Sequence, residues 1–229
     1  MADKTAIIIG ASRGLGLGLA KEFAGRGWQV TATSRGDAPE LAEAAAASGG
    51  KITLATVDID SPDSVAALEA ATAGKHYDLV FINAGVTGPR HGSVDKVTPD
   101  EISALMLTNA IAPIRVAKRL LPRVKDGGTI AFMTSILGSV ALNTGGGMDL
   151  YRASKAALNT FSRSFFVQDV KDRKVTVLNL HPGWVRTAMG GPDAPVEIAD
   201  SVRGLADVVA ANTGGGQHYL DFEGTVLPW

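Results

Sequence analysis

The strongest constraint in this chain is an alternation that runs from end to end: a short apolar run, a break marked by glycine or proline, then a helical segment. "TAIII" (5–9) reads as a buried strand and runs into "GLGLGLAKEFAGRG", a turn and helix. Further strands are expected at "WQVTATS" (28–34), "KITLATVDI" (51–59), "YDLVFINAG" (77–85), "GTIAFMTS" (128–135), "KVTVLNLHP" (174–182) and "GQHYLDFEG" (216–224). Helices are expected over "APELAEAAAAS", "SPDSVAALEAATA", residues 99–124, residues 150–170 and "VEIADSVRGLADVVAAN". Ser61 is placed as an N-cap with Pro62 at the first helical position, and Pro113 inside the 99–124 stretch predicts a kink. Strands this short and apolar, each followed by a helix, fit a parallel sheet covered on both faces with right-handed crossovers. The expectation is α/β: a doubly wound parallel sheet of about seven strands, over residues 1–229 as a single domain.

Composition removes several classes of chemistry. The chain has no cysteine, which excludes disulfides, thiolate nucleophiles and cysteine metal sites. A net charge of −1 gives no bias toward nucleic acid or an anionic membrane. No apolar run approaches the roughly 18 residues of a membrane span, and Arg13 interrupts the N-terminal run too early for a signal peptide. A cytoplasmic protein is expected. His76, His91, His181 and His218 are scattered without ligand spacing, so no metal site is expected. Packing is a better role for His181, at a strand end, than catalysis.

The first strand ends in "GASRGLG". Gly10, Gly14 and Gly16 allow a sharp turn and let a diphosphate approach the backbone, while the next helix aims its N-terminal amides at that anion. Ser12, Arg13 and Leu15 complete the candidate cradle. The second strand ends "ATSRGD". Arg35 at its tip and Arg13 in the turn suit a ribose 2′-phosphate, which favours NADP(H) over NAD(H). Asp37 argues the other way, since a carboxylate there suits an unphosphorylated ribose.

"YRASK" (151–155) sets Tyr151 and Lys155 on one helix face. A free phenol, with a pKa of about 10, is a poor proton shuttle at neutral pH. A neighbouring ammonium is expected to lower that value toward the working range. Ser135, closing the fifth strand, is placed to hydrogen-bond a substrate oxygen; Ser139 competes for that role. Asn109 stands four residues before Pro113, whose missing N–H frees the Asn109 carbonyl to hold a water that relays protons through Lys155 to Tyr151.

The order and spacing of "GASRGLG", Asp58, "NAG" (83–85), Asn109, Ser135, "YRASK" and "HPGWVRT" (181–187) resemble the short-chain dehydrogenase/reductase family over essentially the whole chain. "SILGS…YRASKAALN" and the C-terminal tail are similar to its small C-factor and sniffer-like carbonyl reductases. The resemblance implies a Rossmann fold in which Asp58 and Ile59 border adenine. It implies that Asn83, Ala84 and Gly85 line the middle of the cofactor, and that Pro182, Gly183, Val185 and Thr187 flank the nicotinamide. It also implies the chemistry: pro-S hydride transfer to a carbonyl, with Tyr151 as proton donor, Ser135 orienting, and Lys155 tuning and holding the ribose.

Substrate choice is expected from three loops: 86–97, the segment between Ser135 and Tyr151 with its "NTGGGMD" insertion, and a lid in "AMGGPDAPVEIAD". Trp184 and Met189 are candidate apolar contacts. The small-molecule partner is a carbonyl or alcohol. A homodimer or homotetramer through the helices at 99–124 and 150–170 is the expected assembly. An NADP-binding signalling protein with little turnover is the alternative. A nucleotide-sugar epimerase shares the Tyr–Lys pair but requires a larger C-terminal substrate region.

Overall fold

The structure, a computed structural model, describes residues 4–89 and 93–229. The loop reading at 90–92, His91 included, and the first three residues lie outside the described part. The strands are β1 (Thr5–Ile9), β2 (Gln29–Ser34), β3 (Ile52–Thr56), β4 (Tyr77–Ile82), β5 (Val124–Met133), β6 (Thr176–His181) and β7 (Gly216–Asp221). The helices are α1 (Gly14–Gly25), α2 (Pro39–Ala47), α3 (Pro62–Ala71), α4 (Pro99–Met106), α5 (Ala112–Leu120), α6 (Asp149–Phe165) and α7 (Ile198–Ala211). All seven strands pair in parallel, in the order β3-β2-β1-β4-β5-β6-β7.

β1 shows why the apolar runs are unbroken. Ala6 and Ile8 enter one core layer, with Leu19 and Phe23 of α1 and Leu205 of α7. Ile7 and Ile9 enter the other, with Leu68 of α3, Val116 of α5 and Leu158 of α6. These four β1 side chains are fully buried. Each buried isoleucine contributes about 1.5–3 kcal/mol, so a polar residue at either parity would open one layer.

Three boundaries differ from the sequence reading. β3, the sheet edge, stops at Thr56, level with Ser34 at the end of its one neighbour β2, and Leu54 on it is exposed. β5 starts earlier, at Val124, where it pairs with Tyr77 across a register shift. The 99–124 stretch is two helices joined by a π turn at Leu107–Ile111, with the Ala112 N–H reaching back to Leu107 O. Pro113 cannot donate a helical bond, and the extra residue of a π turn absorbs the mismatch. The Ser61 cap forms as expected, its hydroxyl accepting from Ser64 N at 3.3 Å. Among the described residues, no helix is long and apolar enough to cross a membrane.

Strand order reverses between β1 and β4, so the connections leave a crevice at their carboxyl ends. Gly10, Arg35, Asp58, Asn83, Ser135 and Pro182 all follow strand C-termini along that edge.

Candidate active site

The turn after β1 is fastened to β2: Ala11 N donates to Thr33 O at 2.6 Å and Gly10 N to Thr33 Oγ1 at 3.1 Å. Gly10 has φ +86°, and a Cβ there would stand 2.9 Å from Ala84 Cα; a Cβ on Gly16 would meet Gly10 O at 2.0 Å. These two glycines are demanded by close packing. Gly14 is different: its φ is +56°, and a Cβ there would meet only Thr187 Cγ2, at 3.8 Å. The turn is therefore open on the side that faces the loop after β6. α1 begins there with no side-chain cap and no acid in its first turn. α3 and α4, by contrast, are capped by Ser61 and Thr98. Uncapped amides at a glycine-lined opening fit the diphosphate of a dinucleotide. Ser12 and Leu15 are partly buried in this turn and Arg13 is exposed. Asn83 Nδ2 donates to Gly10 O at 2.7 Å, so the Asn83 side chain braces the turn from behind, and Ala84 and Gly85 follow it into the crevice.

Arg35 and Asp37 are exposed just past β2. The Ala11–Thr33 bond ties the turn that carries Arg13 to the end of β2, and Arg35 follows that strand. Asp58 folds back on itself, its Oδ1 accepting from Asp60 N at 3.1 Å, while Ile59 is buried.

Tyr151 and Lys155 occupy the first two turns of α6. Lys155 is buried, and its Nζ donates to Met133 O at 3.0 Å, 5.8 Å from the Tyr151 ring centre. Burial pushes the Lys155 ammonium down to about 8. Burial also pushes the Tyr151 phenol up to about 12, opposed only by a contact with the Ser135 hydroxyl. The expected acidification of the phenol by Lys155 is thus corrected for the protein alone. The ammonium is anchored to the Met133 carbonyl, 5.8 Å from the ring centre, and the phenol's own loss of water sets the direction of its shift.

Ser135 lies two residues past β5 and is buried. Its Oγ accepts from Leu137 N at 3.2 Å, and its carbonyl accepts from Gly138 N at 2.8 Å and Tyr219 Oη at 2.6 Å. Ser139 is also buried, with its Oγ engaged by Leu142 N. Asn109 is fully buried in the π turn. Its Oδ1 accepts from Val86 N and its Nδ2 donates to Val86 O, both at 2.8 Å, and Nδ2 also reaches Ser154 Oγ at 3.1 Å. A Cβ on Gly85 would stand 3.3 Å from Asn109 Oδ1 and 3.4 Å from Lys155 Nζ, so the "NAG" turn, the π turn and α6 converge on one point. Sequence reasoning missed Ser154, Val86 and Tyr219 as partners in this group.

The chain leaving β6 closes the other side. Pro182 O accepts from Ser201 Oγ at 2.6 Å, and Gly183 turns with φ +88°. The bridge between Val185 and Val196 runs through Arg186 N to Val196 O and Val196 N to Trp184 O, which leaves the Val185 amide out of it. Thr187 Oγ1 accepts from Gly190 N at 3.0 Å. The lid segment is pinned at its root by Arg186, whose guanidinium donates to Ala194 O and pairs with Glu197. His181 is neutral at physiological pH, pushed down to about 4 by burial. A cavity of about 610 Å³ opens above Tyr151, lined among others by Val97, Met148, Leu150, Met189 and Pro192. Trp184 is exposed and tied by its Nε1 to Gly190 O at 2.8 Å.

An uncapped, glycine-lined helix start and a half-buried tyrosine with a buried lysine behind it, on one sheet edge, form the arrangement of a dehydrogenase that binds a nicotinamide dinucleotide. Residues 4–196 match the family model for short chain dehydrogenases. The chain belongs to that family. A short-chain dehydrogenase/reductase from Burkholderia multivorans, solved with bound NADP, superposes with a TM-score of 0.96 at 41% identity, covering 99% of this chain and 100% of that one. A carbonyl reductase from Pseudomonas aeruginosa PAO1, in complex with NADP, superposes with a TM-score of 0.92 at 38% identity, with both chains covered completely. The C-signal protein of Myxococcus xanthus is 42% identical over 157 residues, 66% of this chain and 92% of its own.

Proposed function

We propose that the chain is an NADP(H)-dependent carbonyl reductase, running in reverse as an alcohol dehydrogenase. The observation that carries the reading is the grouping of three side chains: Tyr151 lines the cavity, its hydroxyl meets that of Ser135, and Lys155 Nζ lies 5.8 Å from its ring centre. Residues Gly10 to Gly16 hold the diphosphate, Asp58 and Ile59 border adenine, and Asn83 to Gly85 support the centre. Pro182, Gly183, Val185 and Thr187 take the nicotinamide end. Arg13 and Arg35 take a 2′-phosphate, which is the basis for preferring NADP(H) over NAD(H); the NADP in the two solved relatives supports the same choice.

When bound, the reduced nicotinamide supplies a hydride for the carbonyl carbon. The Ser135 hydroxyl donates to the carbonyl oxygen and fixes its angle. Tyr151 gives that oxygen its phenolic proton, forming the alcohol. A phenol near 12 is fully protonated at neutral pH, which suits this direction. Lys155 then holds the phenolate and the ribose, and the Asn109 carbonyl holds a water through which Tyr151 is reprotonated. In the oxidation direction Tyr151 must first lose its proton, so added positive charge close to the phenol is required.

A signalling role without turnover, toward which the likeness to C-signal points, is the second reading, because every position the reaction needs is filled by a competent group. The substrate is a small carbonyl compound or alcohol that the Met148, Leu150 and Met189 surfaces can cover. The whole chain is read as one domain residing in the cytoplasm, where the dinucleotide is found. Exposed Ile111 and Phe161 support a homodimer or homotetramer through the α4–α6 region. The test is a purified-protein assay with NADPH and a panel of ketones and aldehydes, following nicotinamide absorbance. Substrate-dependent NADPH oxidation is the expected result, and its absence across the panel removes the reading.

A further inference from the structure

Tyr151, Lys155, Asn159 and Ser162 follow one another at helical spacing down a single face of α6. Tyr151 lines the cavity, and Lys155 lies buried one turn further on, with its Nζ on Met133 O. The next two are buried and hold a polar network that the reaction does not use. Asn159 Oδ1 accepts from Thr134 Oγ1 at 2.9 Å and from Asn179 Nδ2 at 3.0 Å. Asn179 Nδ2 also reaches Ser162 Oγ at 2.8 Å, and Ser162 Oγ returns to Asn179 Oδ1 at 3.1 Å. Asn159 Nδ2 donates to Gly138 O at 3.4 Å. Tyr219, buried on β7, closes the set with its 2.6 Å bond to Ser135 O.

Thr134 and Gly138 bracket Ser135 in the chain. Asn159 therefore grips both flanks of Ser135, and Tyr219 grips its carbonyl. Buried polar groups carry a desolvation cost, and a fully connected set fixes one arrangement of the elements it joins. The elements joined here are the end of β5, which carries Ser135, and α6, which carries Tyr151.

We propose that Tyr219 and Asn159 are positioning residues: they hold Ser135 at its working distance from Tyr151 by tying the β5 end to the catalytic face of α6. This rests on the carbonyl reductase reading above. Neither residue touches the substrate. Their influence passes through Ser135 alone.

The experiment is a double-mutant cycle on the full chain. Tyr219→Phe keeps the ring and removes the hydroxyl. It should lower kcat about threefold to tenfold, with the melting temperature and the NADPH Kd close to those of the native chain. In alcohol oxidation the pH at which the rate reaches its plateau should move upward, because a displaced Ser135 stabilises the Tyr151 phenolate less. In a Ser135→Ala background, Tyr219→Phe should produce no further fall. Asn159→Leu attacks the same clamp from the α6 side and should shift the pH profile in the same direction. A Tyr219→Phe enzyme with native kcat and native pH profile overturns the proposal, as does an undiminished effect in the Ser135→Ala background. If Ser135→Ala itself keeps native turnover, the carbonyl reductase mechanism has failed instead.

Discussion

Asn109 holds Val86 as a neighbouring strand would: one amide group accepts the Val86 N–H and donates to the Val86 carbonyl, both at 2.8 Å. This clasp ties the π turn to the loop that follows β4, directly above Gly85 and Lys155. It implies that the amide is required for fold as well as for any water held by the Asn109 carbonyl. Asn109→Asp replaces the Nδ2 donor with an acceptor facing Val86 O and buries a carboxyl. The buried acid titrates high, so stability falls as pH rises from the ordinary carboxyl range through the folded pKa and is regained as pH falls. The expected cost is about 2–4 kcal/mol at neutral pH, smaller near pH 4 relative to the native chain at the same pH. Denaturant unfolding at the two pH values checks it.

Lys155 gives a second pH signature. Its folded value of about 8 lies below the ordinary 10.5. Below pH 8 both folded and unfolded forms carry the proton, and the buried charge costs the fold its full penalty. Between 8 and 10.5 the unfolded chain binds more protons, so stability rises with pH. Lys155→Met removes the penalty. It should be more stable than the native chain below pH 8, by at most about 3 kcal/mol, with the difference fading toward pH 10.5. Melting temperatures across that range test this, and activity should be lost throughout.

Arg35 separates the two cofactors. Arg35→Ala should raise the KM for NADPH about tenfold to a hundredfold and leave that for NADH nearly unchanged. The NADPH effect should shrink with added salt, since the site is exposed. Parallel kinetics with both dinucleotides provide the measurement.

Met148 is, among the described residues, the one non-glycine residue with positive φ, at +52°. It immediately precedes α6 and lines the cavity above Tyr151. A left-handed methionine costs about 1 kcal/mol. Met148→Gly should relieve it, for a net gain of about 0.5 kcal/mol after the added chain entropy. The same change should raise KM for bulky apolar ketones more than for small aldehydes. Thermal melts and a two-substrate comparison read both effects.

Much of this architecture was legible in the residues. The unbroken apolar runs required a sheet buried on both faces, and Ser61–Pro62 marked a helix start that forms as read. The glycine turn was legible because Gly10 and Gly16 meet backbone at distances no Cβ allows. What escaped was tertiary. The Tyr219–Ser135 bond joins residues 84 apart, and nothing local to either announces the other. Asn159 was half visible, since it continues the Tyr151–Lys155 spacing, but its partners on β5 and β6 were not. The direction of the Tyr151 shift in the protein alone was not legible for a related reason: the ammonium is written in the sequence, whereas the burial that raises the phenol is a property of the fold.

The central claim is that Tyr151 delivers the proton beside a bound nicotinamide dinucleotide. Tyr151→Phe tests it most directly, with NADPH affinity measured by calorimetry and carbonyl-dependent turnover measured on the same preparation. An unchanged Kd and a fall in turnover of at least about a hundredfold are expected. Native turnover in the phenylalanine variant, or no uptake of either dinucleotide by the folded native chain, would contradict it.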